Sequence, residues 1–154
     1  MAFDDINDPH NLQRFVLAQN AVYGQVCQEL RQGCKRSHWM WFIFPQVQGL
    51  GHSSTAIKFS IASLAEAKAY LAHPILGPRL IECVETMNRL RGLSAPEVLG
   101  EIDAMKFRSC LTLFAAVSAE HSIFQTALDN YFGGVSDDAT LARLAAPGLP
   151  IRDA

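Results

Sequence analysis

The sequence lacks the patterns by which several classes of protein are recognised. Its four cysteines form no C-x-x-C pair and have no histidines at zinc-finger spacing, so no structural zinc site is expected. No hydrophobic run approaches the roughly 20 residues of a membrane-spanning helix. The N-terminal segment "MAFDDINDPHNLQRF" is acidic and has no apolar core, which argues against a signal peptide. These absences predict a cytoplasmic protein whose thiols are reduced.

An excess of charge of either sign is also missing. The 13 basic and 15 acidic residues leave a formal net charge of −2, which argues against broad electrostatic binding to DNA or RNA. Hydrophobic residues make up 49% of the chain and charged residues 18%, which is an ordinary globular composition. We therefore expect a single domain over residues 1–154, with a loosely attached tail from about residue 147.

What the sequence contains in abundance is helix signals. Asp8 and Pro9 suit the start of a helix, and apolar residues recur at helical spacing as far as Gly33, which predicts one long amphipathic helix. The capping-box pattern, a serine followed three residues later by a glutamate, occurs twice. The two pairs are Ser63 with Glu66 and Ser94 with Glu97. Residues 103–118 form the most apolar helix candidate and are expected to run through the core.

Together these signals predict a mainly α protein, folded as a single compact multihelical domain of about six or seven helices. Residues 39–44 are harder to assign, because six bulky side chains follow one another without a helical or an alternating period. A short buried strand is the alternative for this segment. Pro45 ends the segment in either case.

Three segments carry candidate functional residues, and the first is "KRSHWMWFIFPQ", residues 35–46. Lys35 and Arg36 can hold a phosphate or a carboxylate through charge-assisted hydrogen bonds. His38 can move a proton near neutral pH, and Trp39 or Trp41 can stack on a ring. This set of side chains would suit a nucleotide.

A purely structural interpretation of the same segment is also open. In that interpretation Ser37 is a helix N-cap, the two cations are solvated, and the aromatic side chains belong to the core. His38 fits it least well, because an imidazole is costly to bury without hydrogen-bonding partners.

The second segment is "GLGHSS", residues 49–54. Like a phosphate-binding turn, it places two glycines before a helix start, where backbone N–H groups favour anions. It lacks the lysine and the spacing of a P-loop, so a flexible loop with a serine cap is the alternative. Gly51, His52 and Ser53 are the candidate functional residues of this segment.

The third segment is "EIDAMKFRSCLTLF", residues 101–114. Asp103 and Lys106 are three residues apart and share a helix face, where a surface ion pair is the simplest expectation. In the alternative interpretation the helix lines a pocket, because Lys106, Ser109, Cys110 and Thr112 interrupt its apolar sequence with groups that need partners. Cys110 has no activating partner in the sequence, so an inert buried thiol is expected there.

Motifs along nearly the whole chain resemble one family. They are "DPHNLQRFVLAQ", "KRSHWMWFIFPQVQGLGHS", "LAEAKAYLAHPILGPRL", "IDAMKFRSCLTLF" and "LDNYFGG". On these motifs the sequence is identified as a member of a mainly bacterial family catalogued as domain of unknown function 1810. The resemblance implies a mainly α-helical fold and no established activity. Some members are labelled calpastatin, but such inhibitors are disordered polar chains, whereas this composition is that of a packed globule.

The order of several motifs also loosely resembles small N-glycosidase-like domains associated with ADP-ribose and riboflavin-pathway intermediates. That group places a glutamate soon after its serine-containing loop, and "HSSTAIKFS" contains none. A glycosidase mechanism would therefore need a carboxylate from elsewhere, such as Glu66 or Asp103.

The leading hypothesis is a small enzyme or binding domain for a phosphorylated or nucleotide-like small molecule. The candidate catalytic residues are His38, His52 and Asp103. The candidate ligand-binding residues are Lys35, Arg36, Ser37, Trp39, Trp41, Gly51, Ser53 and Lys106. No cofactor, metal, nucleic acid or membrane is implied as a partner, and a homo-oligomer is left open.

The alternative hypothesis is a non-catalytic interaction module that offers the aromatic stretch to a protein partner. Burial discriminates between the two hypotheses. A concave pocket that joins His38, His52 and Lys106 would favour the first, and a flat apolar surface would favour the second.

Overall fold

A computed structural model describes residues 8–145 as a compact, mainly helical domain. Its first helices are α1 (Gln13–Asn20), α2 (Tyr23–Gln32), α3 (Met40–Ile43), α4 (Ser54–Lys58) and α5 (Leu64–Ala72). They are followed by α6 (Leu76–Arg89), α7 (Ala95–Leu99), α8 (Glu101–Ala116), α9 (Ile123–Phe132) and α10 (Asp138–Ala145). The described residues thus form 10 helices, so the prediction of a mainly α domain is confirmed and the predicted number of helices is wrong.

None of the helices within residues 8–145 combines the length and the apolar character needed to cross a bilayer. The tail expected from about residue 147 lies outside the described residues, as do all the residues that precede Asp8.

The N-terminal helical region differs from the expected single long helix. The helix begins at Gln13, with Leu12 at its N-cap, so the prediction that Asp8 is the N-cap and Pro9 the first helical residue is wrong. The Asp8 carboxylate nevertheless accepts the backbone N–H groups of Leu12 at 2.7 Å and Gln13 at 2.9 Å, at the start of the helix. The helix is interrupted after Asn20, however, where Val22 has a non-helical φ of −124°. Asn20 and Val22 both have low helix propensity, so interrupting the helix between them sacrifices little intrinsic helical stability. The second part, α2, ends at Gly33 in the left-handed conformation, as the sequence predicts.

The strand considered for residues 39–44 does not form. A single helical turn, α3, occupies the segment instead, and the β pairing among residues 8–145 is one isolated parallel bridge between Val47 and Ile61. The fully buried side chains of the segment are Trp39, Met40, Ile43 and Phe44. Positions one, two, five and six of a run lie on one helical face, which explains why a helix buries them better than an alternating strand would.

The two predicted capping boxes have different outcomes. The pair Ser94 and Glu97 is reciprocal and opens α7, with hydrogen bonds of 3.2 Å and 2.8 Å. Ser63 accepts the N–H of Glu66 at 2.9 Å, but the Glu66 carboxylate binds the N–H of Ala62 rather than that of Ser63. Ser63 is therefore an N-cap, but the reciprocal hydrogen bond from its own N–H to Glu66 is absent. The other oxygen of the Glu66 carboxylate forms an ion pair with Arg14 at 2.8 Å.

Helix α8 runs through the core, as its apolar sequence predicts. It packs against α5, α7, α9 and α10, so most of the molecule is organised around it. Two of its side chains are centres of aromatic packing: the Phe107 ring contacts those of Phe44 and Tyr131, and the Phe114 ring contacts that of Tyr70. Cys110 is also completely buried on this helix, and burial raises the pKa of its thiol well above the usual value, as expected for an inert cysteine.

Candidate functional site

A cleft of about 460 Å³ opens where the 46–53 loop meets α3, α4, α8 and the start of α10. Its lining residues are Trp41, Gln46, Leu50, Gly51, His52, Ser53, Ala56, Ile102, Met105, Lys106, Ser109, Asp137 and Ala139. Five of these are residues that the sequence marks as candidates: Trp41, Gly51, His52, Ser53 and Lys106. The cleft therefore unites parts of all three candidate segments.

Lys106 and Trp41 form the charged and aromatic corner of the cleft. The Lys106 ammonium lies 5.1 Å from the centroid of the Trp41 ring, within the range of a cation–π interaction. Asp103 contributes a second contact, with its Oδ1 atom 3.7 Å from Lys106 Nζ, so the ion pair expected at this spacing is present. These contacts hold the cation at the wall while leaving 26% of its side chain exposed.

Two glycines allow the 46–53 loop to lie close to its neighbours. Gly49 has a φ of +100°, and a Cβ atom there would lie 2.3 Å from the Arg143 guanidinium, which donates a hydrogen bond to the Gln48 carbonyl. Gly51 faces α4, where a Cβ atom would lie 2.6 Å from that of Ala56. A side chain at Gly51 would collide with α4, and one at Gly49 would be strained by the positive φ and would displace the Arg143 guanidinium.

His52 and Ser53 follow these glycines at the cleft edge. His52 is exposed, and its imidazole is thus accessible to a bound molecule. Ser53 Oγ accepts the N–H of Ala56 at 3.1 Å and caps α4, as the sequence predicts. A hydroxyl group that accepts one hydrogen bond can still donate its own proton, so Ser53 can cap α4 and also donate a hydrogen bond to a ligand.

The polar residues within α8 mainly serve to attach α10. Ser109 and Thr140 share a hydrogen bond of 2.7 Å between their hydroxyl groups, and Thr112 Oγ1 accepts the N–H of Asp137 at 2.9 Å. The Asp137 carboxylate in turn accepts both the N–H and the hydroxyl of Thr140. Ser109 lines the cleft, as the alternative interpretation of this helix expects, whereas Cys110 and Thr112 do not.

The polar start of the 35–46 segment is organised by a buried carboxylate that the sequence analysis did not identify. Glu29 of α2 is only 3% exposed. It accepts hydrogen bonds from Trp39 Nε1 at 2.9 Å, Ser37 Oγ at 2.6 Å and the Arg36 backbone N–H at 2.9 Å, with Gln25 and the Ser37 N–H completing the set. Burial by itself would raise the pKa of the Glu29 carboxyl, but these hydrogen bonds lower it from 4.5 to about 2.

The remaining predicted site residues lie outside the cleft. Ser37 and Trp39 are partners of Glu29, while Arg36 and His38 are exposed and do not line the cleft. Lys35 forms an ion pair with Asp103, with 2.9 Å between Nζ and Oδ2, and only 8% of its side chain is exposed.

Asp103 nevertheless connects the two regions. One of its oxygens binds Lys35 and the other faces Lys106, so the first residue of the 35–46 segment is joined to the cleft wall through a single carboxylate. Asp103 does not line the cleft itself, and this geometry gives it a positioning role toward Lys106 rather than direct contact with a ligand.

The carboxylates at or near the cleft already have partners within the protein. Glu66 is buried against Arg14, outside the cleft lining. Asp137 does line the cleft but already accepts two hydrogen bonds from Thr140. Among the lining residues, His52 offers an exposed imidazole, the side-chain type that most often serves as a general acid or base.

Sequence reasoning missed the apolar side of the cleft. Ile102 is 72% exposed and Met105 is 70% exposed, although both belong to the helix that forms the core. A detectable signal exists, because these large apolar residues stand beside Asp103 and Lys106 on the side of α8 that its buried residues leave to solvent. Apolar residues within a polar helix face indicate a binding surface.

Comparison with known proteins agrees with the family resemblance. The family model described as "Protein of unknown function (DUF1810)" matches residues 9–144. The chain is also similar to a solved structure, the conserved hypothetical protein Rv1873 from Mycobacterium tuberculosis, with 49% sequence identity and a TM-score of 0.88 over 90% of this chain and 99% of the other. No curated protein matches the sequence. The family match spans nearly the whole described domain, and the chain therefore belongs to the DUF1810 family of proteins of unknown function.

Proposed function

We propose that the cleft binds a phosphorylated or nucleotide-like small molecule, with the protein acting in the bacterial cytoplasm. The observation that carries the proposal is the Lys106–Trp41 corner, which places a cation and an aromatic ring in the same concavity. A nucleotide-like ligand combines an anion with a flat ring and matches both groups.

The dimensions and composition of the cleft support this proposal. Small-molecule sites generally enclose about 300–1,000 Å³ and have mostly apolar walls with a few polar groups that fix the ligand's orientation. The cleft volume of about 460 Å³ lies within that range. Leu50, Ile102 and Met105 supply apolar wall, and His52, Ser53 and Lys106 supply the polar groups.

Each polar group has a distinct role in the proposal. Lys106 neutralises the anion, and it is already partly desolvated against Trp41, so less hydration is lost when a ligand arrives. Ser53 donates its hydroxyl proton to a ligand oxygen. If the protein is an enzyme, His52 is its proton-transferring residue, since the other predicted catalytic residues, His38 and Asp103, lie outside the lining.

The alternative, an interaction module built on the aromatic stretch, has less support. Trp39 and Phe44 are buried, and Trp41 and Phe42 are half-buried, so the stretch offers little aromatic surface. The exposed Ile102 and Met105 favour a smaller contact surface at the cleft mouth, which a protein partner would cover.

The proposal is tested by thermal unfolding in the presence of AMP, ADP-ribose and ribose 5-phosphate. A ligand present at a hundred times its Kd stabilises the folded state by about 2.7 kcal/mol and raises the melting temperature measurably. Lys106→Gln removes the cation at similar volume and should weaken binding about tenfold, because a charge-assisted hydrogen bond is lost.

Lys58→Gln is the matched control. Its ammonium also lies over an aromatic ring, 5.2 Å from the centroid of Phe59, but it does not line the cleft. This variant should bind as the wild type does. If none of the three compounds stabilises the wild type, or if both variants bind them equally well, the proposal fails.

A further inference from the structure

A second polar cluster lies between α2 and α6 and shares no residue with the cleft lining. It consists of Tyr23 and Cys27 from α2 together with Glu82 and Cys83 from α6. Cys27 is partly exposed, whereas Cys83 is 1% exposed. The two helices pack directly against each other, so the cluster occupies a helix–helix interface with one thiol at its edge and the other inside.

The contacts within the cluster bring the two thiols to the same place. The Tyr23 hydroxyl donates a hydrogen bond to the Glu82 carboxylate, and Cys27 Sγ lies 3.8 Å from the same carboxylate oxygen. The Arg79 guanidinium stacks on the Tyr23 ring, 4.8 Å from its centroid, and fixes the ring on the interface. Cys83 directly follows Glu82 in α6, so its thiol belongs to the same helix–helix interface, where it interacts with that of Cys27.

This arrangement distinguishes the ionisation of the two thiols. The hydrogen bond from Cys83 is the largest influence on Cys27 and, against the opposing effect of burial, helps lower the pKa of Cys27 to about 6. Donating that bond and being buried both raise the pKa of Cys83. These opposite shifts favour the thiolate at the accessible sulfur and the protonated thiol at its buried partner.

We propose that Cys27 and Cys83 are a thiol pair that closes to a reversible intrachain disulfide on reaction with a low-molecular-weight disulfide. The Cys27 thiolate attacks one sulfur of the oxidant, which breaks the oxidant's S–S bond and releases one thiolate. The Cys83 thiol then gives up its proton and attacks the Cys27 sulfur, releasing the second thiolate. The protein loses two electrons and the Cys83 proton, and the oxidant is reduced to two thiolates, which take up that proton and one from water to become thiols.

The other two cysteines provide a comparison within the same chain. Cys34 is exposed and follows the end of α2, so it is accessible without belonging to the cluster. Cys110 is completely buried in α8 and inert. The proposal therefore requires the partly exposed Cys27 to react before the more exposed Cys34, an order that accessibility alone would not produce.

The test treats the reduced, full-length protein with glutathione disulfide at pH 7 and follows each cysteine by peptide mass spectrometry. The wild type should form a linked Cys27–Cys83 peptide without retained glutathione, and dithiothreitol should reverse it. Cys83→Ala should stop at a mixed disulfide between glutathione and Cys27, Cys27→Ser should leave Cys83 unreacted, and Cys34→Ser should behave as the wild type does. Circular dichroism establishes that each variant is folded.

Two results would overturn the proposal. One is a mixed disulfide that forms faster at Cys34 than at Cys27. The other is a glutathione adduct on Cys27 of the wild type that persists while Cys83 stays reduced, which would show that the second sulfur cannot reach the first.

Discussion

At the residue scale, the most consequential side chain is Glu29. Its carboxylate accepts hydrogen bonds from the Ser37 hydroxyl, the Trp39 indole and the Arg36 backbone N–H. The start of the 35–46 segment is therefore held in place by a side chain of α2. From the sequence, Ser37 has the features of an N-cap and Trp39 those of a core residue or a stacking platform. Neither interpretation predicts that both residues donate hydrogen bonds to Glu29, because nothing in the sequence near Glu29 indicates that it is buried.

Replacement of Glu29 should therefore destabilise the whole domain. Glu29→Gln keeps the shape of the side chain but replaces one carboxylate oxygen, which accepts hydrogen bonds, with an amide NH₂ group, which would face other donors. The substitution should lower the free energy of unfolding by about 2–4 kcal/mol. Chemical unfolding measures the loss. Glu85→Gln, an exposed glutamate on α6, is the matched control and should change the free energy of unfolding by less than about 0.5 kcal/mol. Equal effects of the two substitutions would contradict the role assigned to Glu29.

The same carboxylate should make stability depend on acid pH. Its folded-state pKa of about 2 lies below the ordinary 4.5, so the stabilisation is fully present above pH 4.5 and is lost as the pH falls toward 2. The shift corresponds to about 3 kcal/mol, since each pKa unit is about 1.4 kcal/mol. Urea unfolding between pH 6 and pH 3 should show a steeper loss of stability for the wild type than for Glu29→Gln. Parallel curves would show that Glu29 is not the group responsible.

At the element scale, the local signals in the sequence were more informative than the long-range ones. The caps at Ser53 and Ser94 each join residues three positions apart, and both form as expected. The predicted cap at Asp8 does not form, because the helix starts at Gln13 instead. The break before α2 and the single turn of α3 depend on what each segment packs against. Pattern analysis of one segment cannot supply that information, which is why the number of helices was underestimated.

The attachment of α10 to α8 is one such long-range feature. Thr140 is completely buried, and its hydroxyl bonds both Ser109 and Asp137. Thr140→Val should lower the free energy of unfolding by about 1–3 kcal/mol. The substitution keeps the side-chain volume but leaves the buried Ser109 hydroxyl and the Asp137 carboxylate without this partner. Thr126→Val, which removes an exposed hydroxyl bond on α9, is the control and should cost far less.

A double-mutant cycle makes this prediction specific. Ser109→Ala should destabilise the wild type more than it destabilises the Thr140→Val variant, since in the latter its partner is already gone. Strictly additive free energies of unfolding would show that the two hydroxyl groups do not act together. Loosening α10 should also weaken ligand binding, because Asp137 and Ala139 belong to the cleft lining.

At the scale of the whole molecule, the candidate site is a product of the tertiary fold. The sequence identified Trp41, His52 and Lys106 as candidates on chemical grounds, and the fold brings these three together. It placed Lys35 and His38 in the same site because they are neighbours of Trp41 in sequence. A single helical turn directs successive side chains to different faces, so adjacency in sequence did not become adjacency in the cleft.

The two tryptophans allow the most direct test of the central claim that ligand binds at the Lys106–Trp41 corner. Trp39 donates its indole N–H to buried Glu29, whereas Trp41 lines the cleft. In ¹H–¹⁵N spectra each gives one indole signal, and Trp41→Phe assigns them. On titration with AMP, ADP-ribose and ribose 5-phosphate, at least one compound should shift the Trp41 signal saturably while the Trp39 signal stays in place. An unchanged Trp41 signal with all three compounds, or a saturable shift confined to Trp39, would contradict the account.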